Sequence, residues 1–176
     1  MTPLDFGLLI LRVVVGGTMF AHGAQKAFGW WNGPGPDRWR QAVGGMGFQP
    51  VGLWTAVSIL AELTGILLVL GFLTPVVAAI VLAQAIVIIG HAHFAKGFWN
   101  TQGGYEFPLS LAAGAAALLF TGPGSVSIDA LTGFGLTDTG LLALFLLGIA
   151  GGLLGVSAPR LLAREAEATD GRGRDG

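Results

Sequence analysis

Five apolar stretches dominate this chain and leave few folds open to it. A spanning helix needs about 20 mostly apolar residues, and stretches near that length run over roughly 6–28, 51–71, 74–94, 106–121 and 138–158. The third opens on Thr74-Pro75, with Thr as N-cap and Pro at the first helical position. The fourth, opening at Glu106-Phe107-Pro108, is the shortest. Only 11% of the residues are charged and 53% are hydrophobic, against about 25% charged in an ordinary soluble domain. The expected fold is an all-α membrane protein, with one helical transmembrane domain over 1–159. Residues 160–176 (RLLAREAEATDGRGRDG) read as a solvated, disordered tail.

Charge gives the spans an orientation. With five crossings, Lys26, Arg38, Arg40, Lys96, Arg160, Arg164, Arg172 and Arg174 fall on one side of the membrane. The opposite side receives no Lys or Arg in any loop. The positive-inside rule makes the charged side cytoplasmic. The N-terminus is then outside and the C-terminus inside, in a multi-pass protein of the bacterial plasma membrane. The first apolar stretch lacks a basic leader and reads as a retained span rather than a cleaved signal.

Other chemistry is excluded by composition. There is no cysteine, which removes disulfide, haem-thiolate and iron–sulfur chemistry from this subunit. The net charge of −1 gives no footprint for nucleic acid. No flavin or nucleotide motif is present, so an electron donor would have to come from another chain.

The informative residues are charges inside or at the ends of spans, where they are costly and usually face a partner or a polar cavity. Counted from the outer boundary at 1.5 Å per residue, Arg12 lies about 9 Å deep and Glu62 about 13 Å. That predicts a buried Arg12–Glu62 pair across adjacent helices, with a ligand-facing role for Glu62 as the alternative. A second group gathers at the cytoplasmic ends. His22 and Lys26 share a face at i, i+4; His91 and His93 end the third span; Glu106 opens the fourth, where its carboxylate also suits a helix N-terminus. If the first, third and fourth spans are neighbours, these groups form a polar basin.

A quinone headgroup suits such a basin: its carbonyls accept hydrogen bonds from His or Lys, and His can shuttle protons near neutral pH. Haem is disfavoured, because His91 and His93 point about 200° apart on a helix. A divalent metal held by two His and Glu106 is disfavoured too, and no metal is assigned. The plainest alternative is that these residues anchor to lipid headgroups and cap helices.

Two further features bear on partners. The 29–50 loop carries Trp30, Trp31, Trp39 and Phe48, rings that settle at headgroup level, and Arg38 to Val43 suits a short interfacial helix. Gly148, Gly151, Gly152 and Gly155 in the fifth span form two overlapping small-xxx-small patterns, which serve homo-oligomerisation or internal packing equally well.

One segment is distinctive: GFWNTQGGYEFPLSLAAGAAALLFTGPGSVSID over 97–129. With Arg12, His22-Gly23, Lys26, Glu62, Thr64-Gly65 and Leu70-Gly71 before it, the order and spacing over about 6–135 resemble the DoxX family of bacterial membrane proteins. The resemblance implies a four-helix transmembrane bundle core, to which the fifth C-terminal helix here is an addition. It also implies a redox setting, through thiosulfate:quinone oxidoreductase and through oxidative-stress complexes with a soluble sulfurtransferase and superoxide dismutase. By position, His22, Lys26, Glu62 and Glu106 would be the family's polar residues.

The sequence therefore favours a redox-linked subunit that binds a quinone or similar lipid-soluble molecule without a covalent cofactor and works with a soluble enzyme. His22, Lys26 and Glu106 would serve the headgroup, with His91 and His93 at the rim; no residue is assigned as catalytic. The alternatives are a non-catalytic scaffold for soluble redox enzymes and, less favoured, a small transporter.

Overall fold

Thr2 starts the first helix. Its hydroxyl accepts from Asp5 N at 3.2 Å, and the Asp5 carboxylate accepts from Thr2 N at 2.7 Å, a reciprocal cap that satisfies two otherwise free donors. In the computed structural model, which describes residues 1–172 (backbone alone at 160 and 162–172), this helix α1 runs Pro3–Phe28. It is followed by α2 (Gly35–Gly45), α3 (Val51–Leu63), α4 (Gly65–Leu70), α5 (Thr74–Ile88), α6 (Glu106–Thr121), α7 (Ile128–Thr132) and α8 (Asp138–Arg172). The described residues contain no strand. The expected all-α membrane architecture is present: Pro3–Phe28, Val51–Leu70, Thr74–Lys96 and Asp138–Pro159 are each long and apolar enough to cross a bilayer.

The expected fourth crossing, α6, has 16 residues, a length of about 24 Å. It nevertheless traverses the bundle. Phe107 at its start packs beside His22, while Leu119, Phe120 and Thr121 at its end meet Pro75 around a small second cavity.

Helices α1, α3–α4, α5 and α6 form the four-helix core, and α8 lies against α5 and α6. The core is aliphatic and closely packed, with Val15, Met19, Leu68, Val77, Val81, Leu118 and Leu119 all buried. The α1–α4 crossing is built on two glycines. A Cβ on Gly65 would lie 2.7 Å from Phe20 N, so only glycine lets the backbones meet there.

The glycines of α8 are used in the same way. Gly148 lies against the Ala79 carbonyl, Gly152 against Ile86 and Ala83, and Gly155 against Val87, whereas Gly151 faces open space. Three of the four thus serve packing within the chain. The helix also continues through Pro159 to Arg172, where the sequence suggests a disordered tail from residue 160; residues 173–176 of that tail lie outside the described residues.

Candidate functional site

Polar residues collect at the two ends of the core, in arrangements that differ from those the sequence suggests. At the N-terminal end of α1, Arg12 is buried to 1% exposure. Its Nη2 donates to the Val126 carbonyl, and its guanidinium lies against Gly71, which caps α4 at φ 65. A side chain at that glycine would collide with the guanidinium. Asp129, also 1% exposed, accepts from Leu73 N at 2.7 Å and Thr74 N at 2.8 Å. It caps α5 from a distant segment, satisfying donors that the helix leaves free. These bonds also hold Leu73 in its left-handed conformation at φ 53. Asp5 ties the same loop to α1 by accepting from Ser125 N at 2.8 Å.

The expected Arg12–Glu62 pair is not formed. Glu62 instead pairs with Lys26. The reason is stagger: Arg12 is level with Gly71, so α1 overhangs the α4–α5 turn by about 13 Å, and the 122–127 loop covers the overhang. Glu62 consequently lies level with Gly23, whose Cα side abuts Leu63 and Glu62. Lys26 is one turn away and reaches back to the carboxylate along its flexible stem.

Around this pair lies a cavity of about 380 Å³. Pockets that hold small molecules typically measure about 300–1,000 Å³, with apolar walls and a few placed polar groups. Here the walls include Met19, Val43, Phe48, Val57, Val87 and Leu111. The Lys26 ammonium lies 3.9 Å from the centre of the Trp39 ring, a cation–π contact, and Trp39 donates from Nε1 to Ser58 Oγ at 2.8 Å. Gln84 Nε2 reaches Glu62 Oε1 at 3.4 Å. Glu62 Oε2 is buried with no hydrogen-bond partner among the described residues.

The histidines are placed by backbone carbonyls. His91 Nε2 lies 3.2 Å from the Gly155 carbonyl and His93 Nδ1 lies 2.7 Å from the Gly103 carbonyl. A carbonyl only accepts, so each ring donates from that nitrogen. Both residues occupy a π-helical turn, Ile89–His93, where α5 widens; such turns are frequent at functional sites. His91 also packs on Phe48, with ring centres 4.9 Å apart.

Of the residues singled out from the sequence, His22, Lys26, Glu62, His91 and His93 all line the cavity. Glu106 does not. Its carboxylate accepts from Asn100 N at 3.0 Å and closes the 97–106 loop at the start of α6, while its neighbours Phe107 and Pro108 form cavity wall. Nor do His22, His91, His93 and Glu106 converge: no group of three metal-ligating side chains gathers among the described residues. Sequence reasoning missed Gln84, Ser58 and the inward-facing Trp39. Gln84 is polar within an otherwise apolar span, a signal that was available; Trp39 is indistinguishable by type from the exposed Trp30 and Trp31.

The model of the DoxX family matches residues 7–94, half of the 176-residue chain. The matched region contains α1 to α5 and the π-helical turn, and with them Lys26, Glu62, His91 and His93; α6 and α8 fall beyond it. Comparison with curated proteins and with solved structures found no match. Apolar helices long enough to cross a bilayer and the family match agree: this chain is a membrane protein that belongs to the DoxX family.

Proposed function

We propose that this protein binds a quinone, or a lipid-soluble molecule with a similar polar head, in the cavity at the Lys26–Glu62 pair, as a subunit linked to respiratory or oxidative-stress redox chemistry. The observation that carries the reading is a buried ion pair on the wall of an apolar cavity. Burying such a pair costs several kcal/mol per ion, and replacing it by hydrophobic residues is often neutral or stabilising. Stability is therefore a weak reason for it to be there, and recognition of a polar head is a better one.

The chemistry suits the ligand. Lys26 has three donors and uses one on Glu62, leaving donors for a carbonyl oxygen. His91 and His93 stand on the wall for proton exchange. The volume of about 380 Å³ takes a substituted ring. Val57 and Phe107 line the cavity and are also exposed on the outer surface, at 44% and 43%, giving an apolar tail a sideways exit between helices. The basin would lie toward the cytoplasm of a bacterial plasma membrane, on the side of the basic loops, and the electrons would come from a soluble partner enzyme.

The test is mass spectrometry of the organic extract from gently purified protein, beside Leu111→Trp, which fills the cavity. Quinone near one per chain in the parent and depleted in the variant is expected. Quinone no more abundant in the parent than in bulk membrane lipid would refute the reading.

A further inference from the structure

We infer that the cavity selects the reduced form of its occupant: a quinol hydroxyl donates to Glu62 Oε2, and quinol is held more tightly than quinone. The inference rests on the quinone reading above and adds the redox state to it.

It follows from an inventory of donors and acceptors. Glu62 is 1% exposed and faces the Lys26 ammonium. Its Oε1 takes Lys26 and Gln84, and its Oε2 has nothing among the described residues. A buried acceptor left without a donor is costly, and more so when charged. His91 and His93 each spend one ring nitrogen as a donor to a carbonyl, so in the neutral ring the other nitrogen is an acceptor. His22 lines the same cavity and Gln84 bonds through one amide hydrogen, so each keeps both a donor and an acceptor and favours neither redox form. Ser58 Oγ receives Trp39 and donates to the Thr55 carbonyl at 2.9 Å. On the donor side stands chiefly Lys26, its ammonium held between Glu62 and the Trp39 ring. Glu62 Oε2 is thus the buried carboxylate acceptor of the cavity that lacks a donor among the described residues. A quinone offers two more acceptors. A quinol offers two O–H donors while keeping oxygen lone pairs for Lys26. The head that completes Glu62 is the hydroxylated one.

The test uses the full-length protein in lipid nanodiscs, with decylubiquinone, decylubiquinol and the dimethyl ether of decylubiquinol as probes. Binding is followed by quenching of tryptophan fluorescence and corrected for partition into lipid. A hydrogen bond to a charged acceptor corresponds to a preference of roughly tenfold or more for quinol over both quinone and ether. The bound couple should then titrate about 30 mV above the free couple for each tenfold preference. Glu62→Gln should abolish the preference, because its amide can donate to a carbonyl. If that variant does not fold, the ether comparison in the parent decides. Equal affinity for quinone, quinol and ether overturns the inference and leaves the quinone reading standing. Binding of none of the three overturns both.

Discussion

The Lys26–Glu62 pair makes a quantitative prediction that separates it from the Arg12–Glu62 pairing suggested by sequence depth. The perturbation is a pair of double-mutant cycles, Lys26→Met with Glu62→Gln and Arg12→Met with Glu62→Gln. Lys26 and Glu62 are 9% and 1% exposed, so neither charge is well hydrated once its partner is gone. Two unit charges about 4 Å apart interact by about 4 kcal/mol at an effective dielectric near 20, and orphaning one member of a buried pair costs about 3–5 kcal/mol. Lys26→Met should lose a further ~0.5–2 kcal/mol from the Trp39 contact. Removing both charges leaves no orphan, so the double variant should be more stable than Lys26→Met alone, with a coupling of about 3 kcal/mol or more. Arg12 shares no partner with Glu62, and that cycle should close to within about 0.5 kcal/mol. The assay is equilibrium unfolding in mixed micelles, read by the intrinsic fluorescence of the five tryptophans. Additive Lys26 and Glu62 effects, or strong coupling of Glu62 to Arg12, would refute the assigned pairing.

Four other outcomes follow from the same geometry. Asp129→Ala removes the acceptor for Leu73 N and Thr74 N and should cost about 1–3 kcal/mol, with faster amide exchange at those two residues; unchanged exchange would count against the cap. Gly65→Val places a side chain into the α1 backbone and should prevent α1–α4 docking, seen as loss of the folded monodisperse protein, whereas Gly151→Val should be tolerated. Glu106→Gln should speed exchange at Asn100 but retain any co-purifying ligand, since Glu106 lies outside the cavity wall; ligand loss in that variant would restore it to the site. A reporter fused at the C-terminus should be active in the cytoplasm, as the basic loops require, and activity only outside would reverse the orientation.

How far the sequence reaches is clearest at particular residues. Hydropathy and Pro75 locate the spans, because backbone hydrogen bonding in an apolar setting forces helices there, but the N-cap of α5 is Leu73 and not Thr74, whose hydroxyl caps nothing. The short α2 was legible as a helix over 38–43 and extends to Gly35–Gly45. Five cavity-lining residues were legible by type, since a charge or His in an apolar span needs a reason. Partnership was not legible. Depth counting assumed that span ends are level, whereas α1 overhangs Gly71 and brings Glu62 opposite Gly23. Asp129 closes the distinctive 97–129 segment, but its capping role is not legible there, because a cap supplied from more than 50 residues away leaves no local pattern. The π-helical turn that sets His91 against α8 likewise has no sequence signature, and it uses a helix beyond the family match.

The most direct test of the central claim is to map where a quinone sits. Full-length protein in native membranes would be labelled with a photoreactive quinone and digested, and the modified residues located by mass spectrometry. Labelling concentrated on Trp39, Val57, Ser58 and His91, and suppressed by excess unlabelled quinone, is expected. Labelling confined to lipid-facing side chains of α8 such as Leu146, Leu147 and Leu153, and unaffected by competitor, would contradict a quinone site at the Lys26–Glu62 pair.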